Sequence, residues 1–323
     1  MKKRILCVVL CLTMVGLMAV GCQSTKAPEG KGVIALSLSQ TDTFLATLRD
    51  AVEAAAKTAG YEFQVNDANK DQQKQITDIQ QYAADPAVKA IIICPSQATA
   101  AKEMIDAAGG KPVVFVNRQP DEADLTIGKA VFAGSDEVVA GETQGHWLAR
   151  HFADKADKTI NVGLLLGEPG HPGTLGRTAG FQNVLTAEGY TVNILNGGGQ
   201  GEYGNWDRKA GQDLTSQILL NNPNVDCIVA NNDDMALGAV EAILAAGKTT
   251  AEIPVVGVDA TDVGLASLKD GGLSMTVFQD AKGQGDESVR CAIAILNGES
   301  VPKLNYVPFI EVSQDSDEAG LLK

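Results

Sequence analysis

The sequence predicts an α/β protein built as two similar lobes, each a parallel sheet with helices on its faces. Three observations carry that expectation. Apolar strand-like runs alternate with helical apolar faces from Gly32 to Val116. After a polar loop and a short strand, Ala130 to Ala133, the alternation restarts and continues to Val258. A further helix and strand then follow a second sheet that is already complete, so the chain is expected to cross back between lobes. Repeated strand–helix–strand units imply parallel sheets with right-handed crossovers.

The elements follow in order. Gly32 to Leu38 reads as a strand, and Phe44, Leu45, Leu48, Val52, Ala55 and Ala59 form the apolar face of a helix ended by Gly60. Tyr61 to Val65 is the next strand, and Ile76, Ile79 and Tyr82 mark the next helix. Val88 to Cys94 is a strongly β-branched run, Ala98 to Ala108 is helical, and Lys111 to Val116 returns to strand. In the second half, Ile160 to Leu166, Thr191 to Leu195, Cys227 to Ala230 and Ile253 to Val258 are strands. The helices between them span 135–153, 172–188, 206–222 and 231–247. A Gly-rich polar stretch, Gln279 to Gly285, precedes a helix over 286–297 and a last strand from Tyr306 to Val312.

One stretch organises the rest. Cys227 to Ala230 reads as a buried strand, and Met235, Leu237, Val240, Ile243 and Leu244 repeat at helical spacing until Gly247 caps the helix. Between them stands Asn231-Asn232-Asp233-Asp234. In such sheets the binding crevice opens at the carboxyl ends of the strands, which is where this cluster lies. Asn232 or Asp233 suffices to cap the helix; a single cap does not call for four polar residues.

Composition sets the bounds. A chain of 323 residues is long enough for two domains, and a net charge of −14 makes it a poor binder of polyanions, so nucleic acid is not expected as a partner. The amino end has Lys2, Lys3 and Arg4, an apolar run from Ile5 to Val20, and then Ala19-Val20-Gly21-Cys22. The run is short for a membrane-spanning helix and reads as a signal peptide. Small residues before a Cys resemble a bacterial lipobox, with Ala19 in place of the commoner Leu. Residues 1–21 are therefore expected to be removed, leaving Cys22 as a lipidated first residue and residues 22–31 as a polar tether. Of the other cysteines, Cys7 and Cys11 leave with the signal, while Cys94, Cys227 and Cys291 give neither a disulfide framework nor metal-ligand spacing. Cys227 and Cys291 lie in apolar patterns and are expected in the core.

Several short stretches in order carry a resemblance. They are Asp42-Thr-Phe44, Val114-Phe-Val-Asn-Arg-Gln-Pro120, Gly167-Glu-Pro-Gly-His-Pro172 with Arg177, Trp206-Asp207, Asn231-Asn-Asp233 with Met235-Ala-Leu-Gly238, Val256-Gly-Val-Asp259, and Val277-Phe-Gln-Asp280. In these the chain resembles the type I periplasmic sugar-binding proteins of bacterial ABC importers, the group of galactose/glucose-, ribose- and inositol-binding proteins. The resemblance covers essentially the whole mature chain. It implies two lobes joined by a three-segment hinge, with the ligand held between them by closure. The lobes would be 32–133 with 281–304, and 134–280 with 305–323.

The same resemblance implies the site. Phe44 and Trp206 would cover the two faces of a sugar ring, since the C–H faces of sugars are apolar and flat aromatic rings cover them at low entropic cost. Asp42, Asn232, Asp259 and Gln279 would ring the hydroxyls, because a carboxylate or amide offers two atoms to a vicinal pair. Arg177 and His171 would complete the ring. Asp259 also follows a buried-looking strand, and His171 lies in a Gly/Pro loop from which a side chain can reach a cleft.

Two departures bear on the ligand. Gly173 stands where the galactose/glucose type has an Asp, and Cys94 takes the ligand-facing position where that type has an Asn. Loss of an acceptor on the anomeric side weakens an aldohexose fit and points to another monosaccharide, such as ribose, or to a cyclitol such as myo-inositol. The 153–159 segment is too short for the calcium loop of the galactose type, so no metal and no cofactor is expected.

The expected function is an extracytoplasmic, lipid-anchored solute-binding protein that hands a monosaccharide of the galactose/glucose type, or a cyclitol such as myo-inositol, to ABC permease subunits, with ribose-type pentose binding as the alternative. A chemoreceptor is a further possible partner. An enzyme acting on a small polyol is the competing class, but the chain has no Gly-x-Ser-x-Gly elbow, no His-Glu-x-x-His and no phosphate loop. A sugar-sensing repressor of the same fold would carry a helix-turn-helix where this chain has its signal peptide.

Overall fold

The computed structural model describes residues 30–317 and 320–322. The expected signal peptide, the Cys22 lipidation site and residues 22–29 of the tether lie outside these described residues.

Strands and helices alternate along the chain. The first run is β1 (Val33–Leu38), α1 (Thr43–Thr58), β2 (Glu62–Asp67), α2 (Gln72–Ala84), β3 (Val88–Ile93), α3 (Ala101–Ala107), β4 (Val113–Val116) and β5 (Ala130–Gly134). The second is α4 (Glu137–His151), β6 (Thr159–Leu166), α5 (Pro172–Ala187), β7 (Thr191–Ile194), β8 (Glu202–Tyr203), α6 (Arg208–Asn221), β9 (Cys227–Ala230), α7 (Asp233–Ala245), β10 (Val255–Val256), α8 (Asp262–Lys269) and β11 (Met275–Gln279). The chain ends with α9 (Ala281–Leu296), β12 (Leu304–Tyr306) and β13 (Phe309–Ser313).

Two sheets result. The first has the order β12-β5-β4-β3-β1-β2 and is parallel throughout. The second runs β13-β11-β10-β9-β6-β7, with β8 beside β6, and only β13 is antiparallel. The central strands are buried on both faces, which is why β9, and β3 from Ala90 onward, read as unbroken apolar runs. Each sheet is covered on both sides: Ile34, Leu36, Ile92 and Val114 face one core of the first lobe, Ala35, Ile91, Ile93 and Phe115 the other.

The chain crosses between lobes three times, after β5, after β11 and between β12 and β13. Three expectations are corrected here. The single strand expected from Tyr306 to Val312 is two strands, one on each sheet. All three residues of β12 pair with β5, so the chain leaves the first lobe after Tyr306 and the expected division at 304/305 falls inside a strand. The helix expected from 286 starts earlier, within the Gly-rich stretch: α9 begins at Ala281, capped by the Asp280 side chain, which accepts the Gly283 N–H at 2.8 Å. Its glycines permit close packing. A Cβ at Gly285 would lie 2.7 Å from the Ala51 Cβ, so the glycine lets α9 rest on α1.

Polar residues at strand carboxyl ends start the helices. Asp42 accepts the Leu45 N–H, His171 the Gly173 N–H, Asp207 the Ala210 N–H and Asn232 the Met235 N–H. Such caps each contribute about 1 kcal/mol. They also gather side chains at the edges of the two sheets that face one another.

Candidate functional site: a cleft between the two sheets

A cavity of about 430 Å³, including its open mouth, is lined by residues from both lobes. Asp42, Phe44, Asn117 and Arg118 come from the first lobe; His171, Arg177, Trp206, Asn232, Asp234, Asp259 and Gln279 come from the second. Eight of the nine expected ligand residues are thus brought together.

Cys94 is the exception. It is fully buried beyond the end of β3, with its Sγ 3.6 Å from the Ser39 hydroxyl, and it is absent from the cavity lining. Burial pushes the thiol pKa up. A weakly polar side chain at this position packs inward, so its assignment to the ligand is withdrawn.

Arg177 is the centre of the polar wall. It projects from α5, is 4% exposed, and donates to Glu137 at 2.7 Å, the Asn231 carbonyl at 2.5 Å and Gln279 Oε1 at 3.1 Å. Asp259 Oδ1 lies 3.7 Å from the same guanidinium. Burial pushes the Asp259 carboxyl well above its ordinary pKa, against the opposing pull of Arg177. Gln279 is 2% exposed, and because its Oε1 is taken by Arg177 its Nε2 is left as the free end. That donor is buried and has no hydrogen-bond partner among the described residues. Buried donors without partners are rare and call for a specific reason.

The aromatic walls are positioned by unusual backbone. Asn205 and Trp206 have φ of 52° and 68°, a left-handed pair that turns the indole back over Gly167. A Cβ at Gly167 would come within 2.1 Å of the Trp206 ring. His171 meets the indole edge-on at 4.8 Å, and its Nδ1 accepts the Gly173 N–H at 2.9 Å. Burial, reinforced by Arg118 and Arg177, pushes the imidazole pKa well below its ordinary value, so His171 is a neutral prop for the ring. Phe44 is half-buried at the start of α1 and packs on the first core.

The ligand residues named from the sequence leave out Asn117, Arg118 and Asp234, although Asp234 belongs to the polar cluster expected at the crevice. Arg118 is 4% exposed, reaches the Pro95 carbonyl at 3.3 Å, and leaves its Nε without a partner. Asn117 has φ 64° and turns the chain there. The signal was available: Asn-Arg follows the apolar run of β4 at its carboxyl end, where a crevice is expected. Among the described residues no cluster of three or more His, Cys, Asp or Glu side chains is arranged to hold a metal ion.

Two doubly covered sheets, three crossings and a cleft of rings and hydrogen-bonding groups define a two-lobed solute-binding protein. Comparison with known proteins gives the family. The family model for the periplasmic binding protein domain matches residues 34–300. The chain belongs to this family, in its type I group of sugar-binding proteins of ABC importers. A putative rhizopine-binding protein of Rhizobium meliloti is 35% identical over 272 residues, 83% of this chain and 85% of the relative. A ribose import binding protein of Bacillus subtilis is 32% identical over 278 residues, 85% of each chain. Among solved structures, an ABC transporter solute-binding protein of Bacillus halodurans with bound myo-inositol superimposes with a TM-score of 0.79 at 32% identity, covering 90% of this chain and 97% of that one.

Proposed function

We propose that the protein is an extracytoplasmic lipoprotein that captures a cyclitol of the myo-inositol kind, or a monosaccharide, and presents it to the permease of an ABC importer. The observation that carries this reading is the pairing of two aromatic residues with a buried polar wall in one cavity. Trp206 and Phe44 offer faces for the C–H surfaces of a ring, while Arg177, Asp259, Asn232 and the partnerless Gln279 Nε2 offer donors and acceptors to its hydroxyls. Hydrogen bonds to charged partners contribute about 1.5–3 kcal/mol each, so such a wall rejects ligands that lack the matching hydroxyl. Gly173 supplies no side-chain acceptor on one side of the cleft, which favours a ring without an anomeric centre. The myo-inositol in the Bacillus halodurans structure supports that choice, and the similarity to a ribose import protein keeps a pentose as the second reading.

The mechanism is binding and lobe closure with no bond chemistry, and a chemoreceptor could read the same closed form. Thermal-shift and calorimetric titration of the mature protein with myo-inositol, ribose, galactose and glucose tests the proposal. A ligand held only by the native state raises the melting temperature. Saturable binding of one of them without turnover is the expected result; product formation would replace this reading with the enzymatic one. Membrane anchoring is tested by Cys22→Ser, which should move the protein from the membrane fraction to the soluble fraction.

A further inference from the structure

Asp233 opens α7 yet takes no part in the cavity lining. Its carboxylate is fully buried, and the donors that meet it come from the segments bearing Asp259 and Gln279. Oδ2 accepts the Thr261 backbone N–H at 2.9 Å and the Thr261 hydroxyl at 3.3 Å. Oδ1 accepts the Thr276 hydroxyl at 2.7 Å. The Thr276 oxygen in turn accepts the Ala260 N–H at 3.2 Å. The two amides that follow Asp259 are therefore tied to one carboxylate, one directly and one through a hydroxyl.

Those amides belong to a turn that needs holding. Asp259 has φ 122° and Ala260 φ 51°. Residues with a side chain stay in this half of conformational space only where their surroundings over-determine them. The nearby glycines serve a different purpose. A Cβ at Gly257 would lie 2.4 Å from Asp233 Oδ1, and one at Gly264 would lie 2.1 Å from Oδ2. The chain thus clears space on two sides of the Asp233 carboxylate while keeping side chains at the two strained positions. The Asp259 backbone completes the link to β11, donating to the Val277 carbonyl at 2.8 Å and accepting the Gln279 N–H at 3.2 Å.

We infer that Asp233 is a positioning residue for the cleft: touching no ligand, it holds the Asp259–Ala260 turn so that the Asp259 carboxylate stands against Arg177 and Gln279 keeps its place beside them. The consequence for affinity rests on the reading of the cleft as a ligand site; the holding of the turn does not. Asp233→Asn keeps the shape and replaces an acceptor with a donor, and Thr276→Val removes only the hydroxyl relay. A carboxylate that merely stabilised α7 would affect melting but not the 259–261 turn.

The experiment has two arms on the same proteins. Hydrogen exchange of the ligand-free protein is followed in peptides covering 256–266, with the α7 peptides as reference. Exchange at the Ala260 and Thr261 amides should rise about tenfold in both variants while α7 changes little. Calorimetry with myo-inositol and ribose then completes two double-mutant cycles. Asp233→Asn should weaken binding about tenfold in the wild-type background and at most about twofold in an Asp259→Ala background, while keeping its full effect in a Phe44→Leu background. Unchanged exchange in both variants overturns the inference. So does an Asp233→Asn effect that is equal in the two backgrounds, which would mark the residue as generally structural. If none of myo-inositol, ribose, galactose and glucose binds the wild type, the cleft reading fails and the exchange arm still decides whether Asp233 holds the turn.

Discussion

Gly167 lacks a side chain where the Trp206 indole comes against the backbone. Gly167→Ala should therefore lift the ring and weaken ligand binding at least tenfold with little change in secondary structure, checked by calorimetry and circular dichroism. Trp206→Ala and Asp259→Ala should each remove most of the affinity. For Asp259 the loss of a hydrogen-bonding side chain set against the charged Arg177 corresponds to about 1.5–3 kcal/mol, or roughly ten- to hundredfold in Kd. Retained binding in both variants would show that the ligand sits elsewhere. Asp233 adds a pH effect. Burial raises its pKa from the ordinary 3.8 to about 7, so between these values the folded protein holds a proton that the unfolded chain releases. Its contribution to stability therefore falls as pH rises from about 4 to 7. His171 works in the opposite sense, because its depressed pKa costs stability as pH falls below 6.5. The difference in melting temperature between wild type and Asp233→Asn isolates the Asp233 share and should shrink from pH 5 to pH 7.5; a constant difference would contradict the raised pKa. At this scale the sequence was legible where a polar residue ends an apolar strand, as at Asp259 and Asn232. It misled at Cys94, because position along a strand does not reveal whether a side chain turns to the crevice or to the core. Arg118 was overlooked although its stretch stood out, since an arginine in a polar loop looks solvated until tertiary packing buries it.

Helix α4 follows a crossing between lobes and lies against α5 without intervening side chains. A Cβ at Gly141 would come 2.1 Å from the Arg177 carbonyl, and one at Gly180 would come 2.3 Å from the Val138 carbonyl. The closeness of these helices is what lets Glu137 on α4 reach Arg177 on α5. Gly141→Ala should force the pair apart. The expected cost is about 1–3 kcal/mol by overpacking, or roughly 2–8 °C in Tm for a chain of this size, together with weakened binding as Arg177 shifts. Unaltered melting and affinity would show that the contact can give at no cost. The same physics explains which elements could be read in advance. Amphipathic helices such as α1 and apolar strands such as β3 announced themselves by periodicity. The first turn of α9 did not, because glycine lowers helix propensity and its compensation, contact with α1, exists only in the folded molecule.

Across the whole molecule the two lobes meet at the lips of the cleft. The Thr43 hydroxyl donates to Asp234 at 2.8 Å on one rim, and Lys70 pairs with Glu168 at 2.6 Å on the other. Lys70 is 55% exposed in its side chain, and contacts of this kind contribute about 0–1 kcal/mol each. Removing both with Thr43→Val and Lys70→Ala should weaken ligand binding only about two- to tenfold, with the loss from Lys70 vanishing at high salt; a larger loss would mean that the rims, not the cavity wall, hold the lobes shut. The two-lobed plan was legible because the alternation starts twice. The last crossing was not, because β12 and β13 are separated by only Val307 and Pro308 and merge into a single strand-like pattern. One consequence of the topology concerns how such a molecule would be moored. In parallel sheets all strands point the same way, and β1 runs toward the cleft with its start at the far edge of the first lobe. An anchor upstream of β1 would grip the molecule by its heel. The jaw tied to that anchor would be the one held back on closure, and the other would swing.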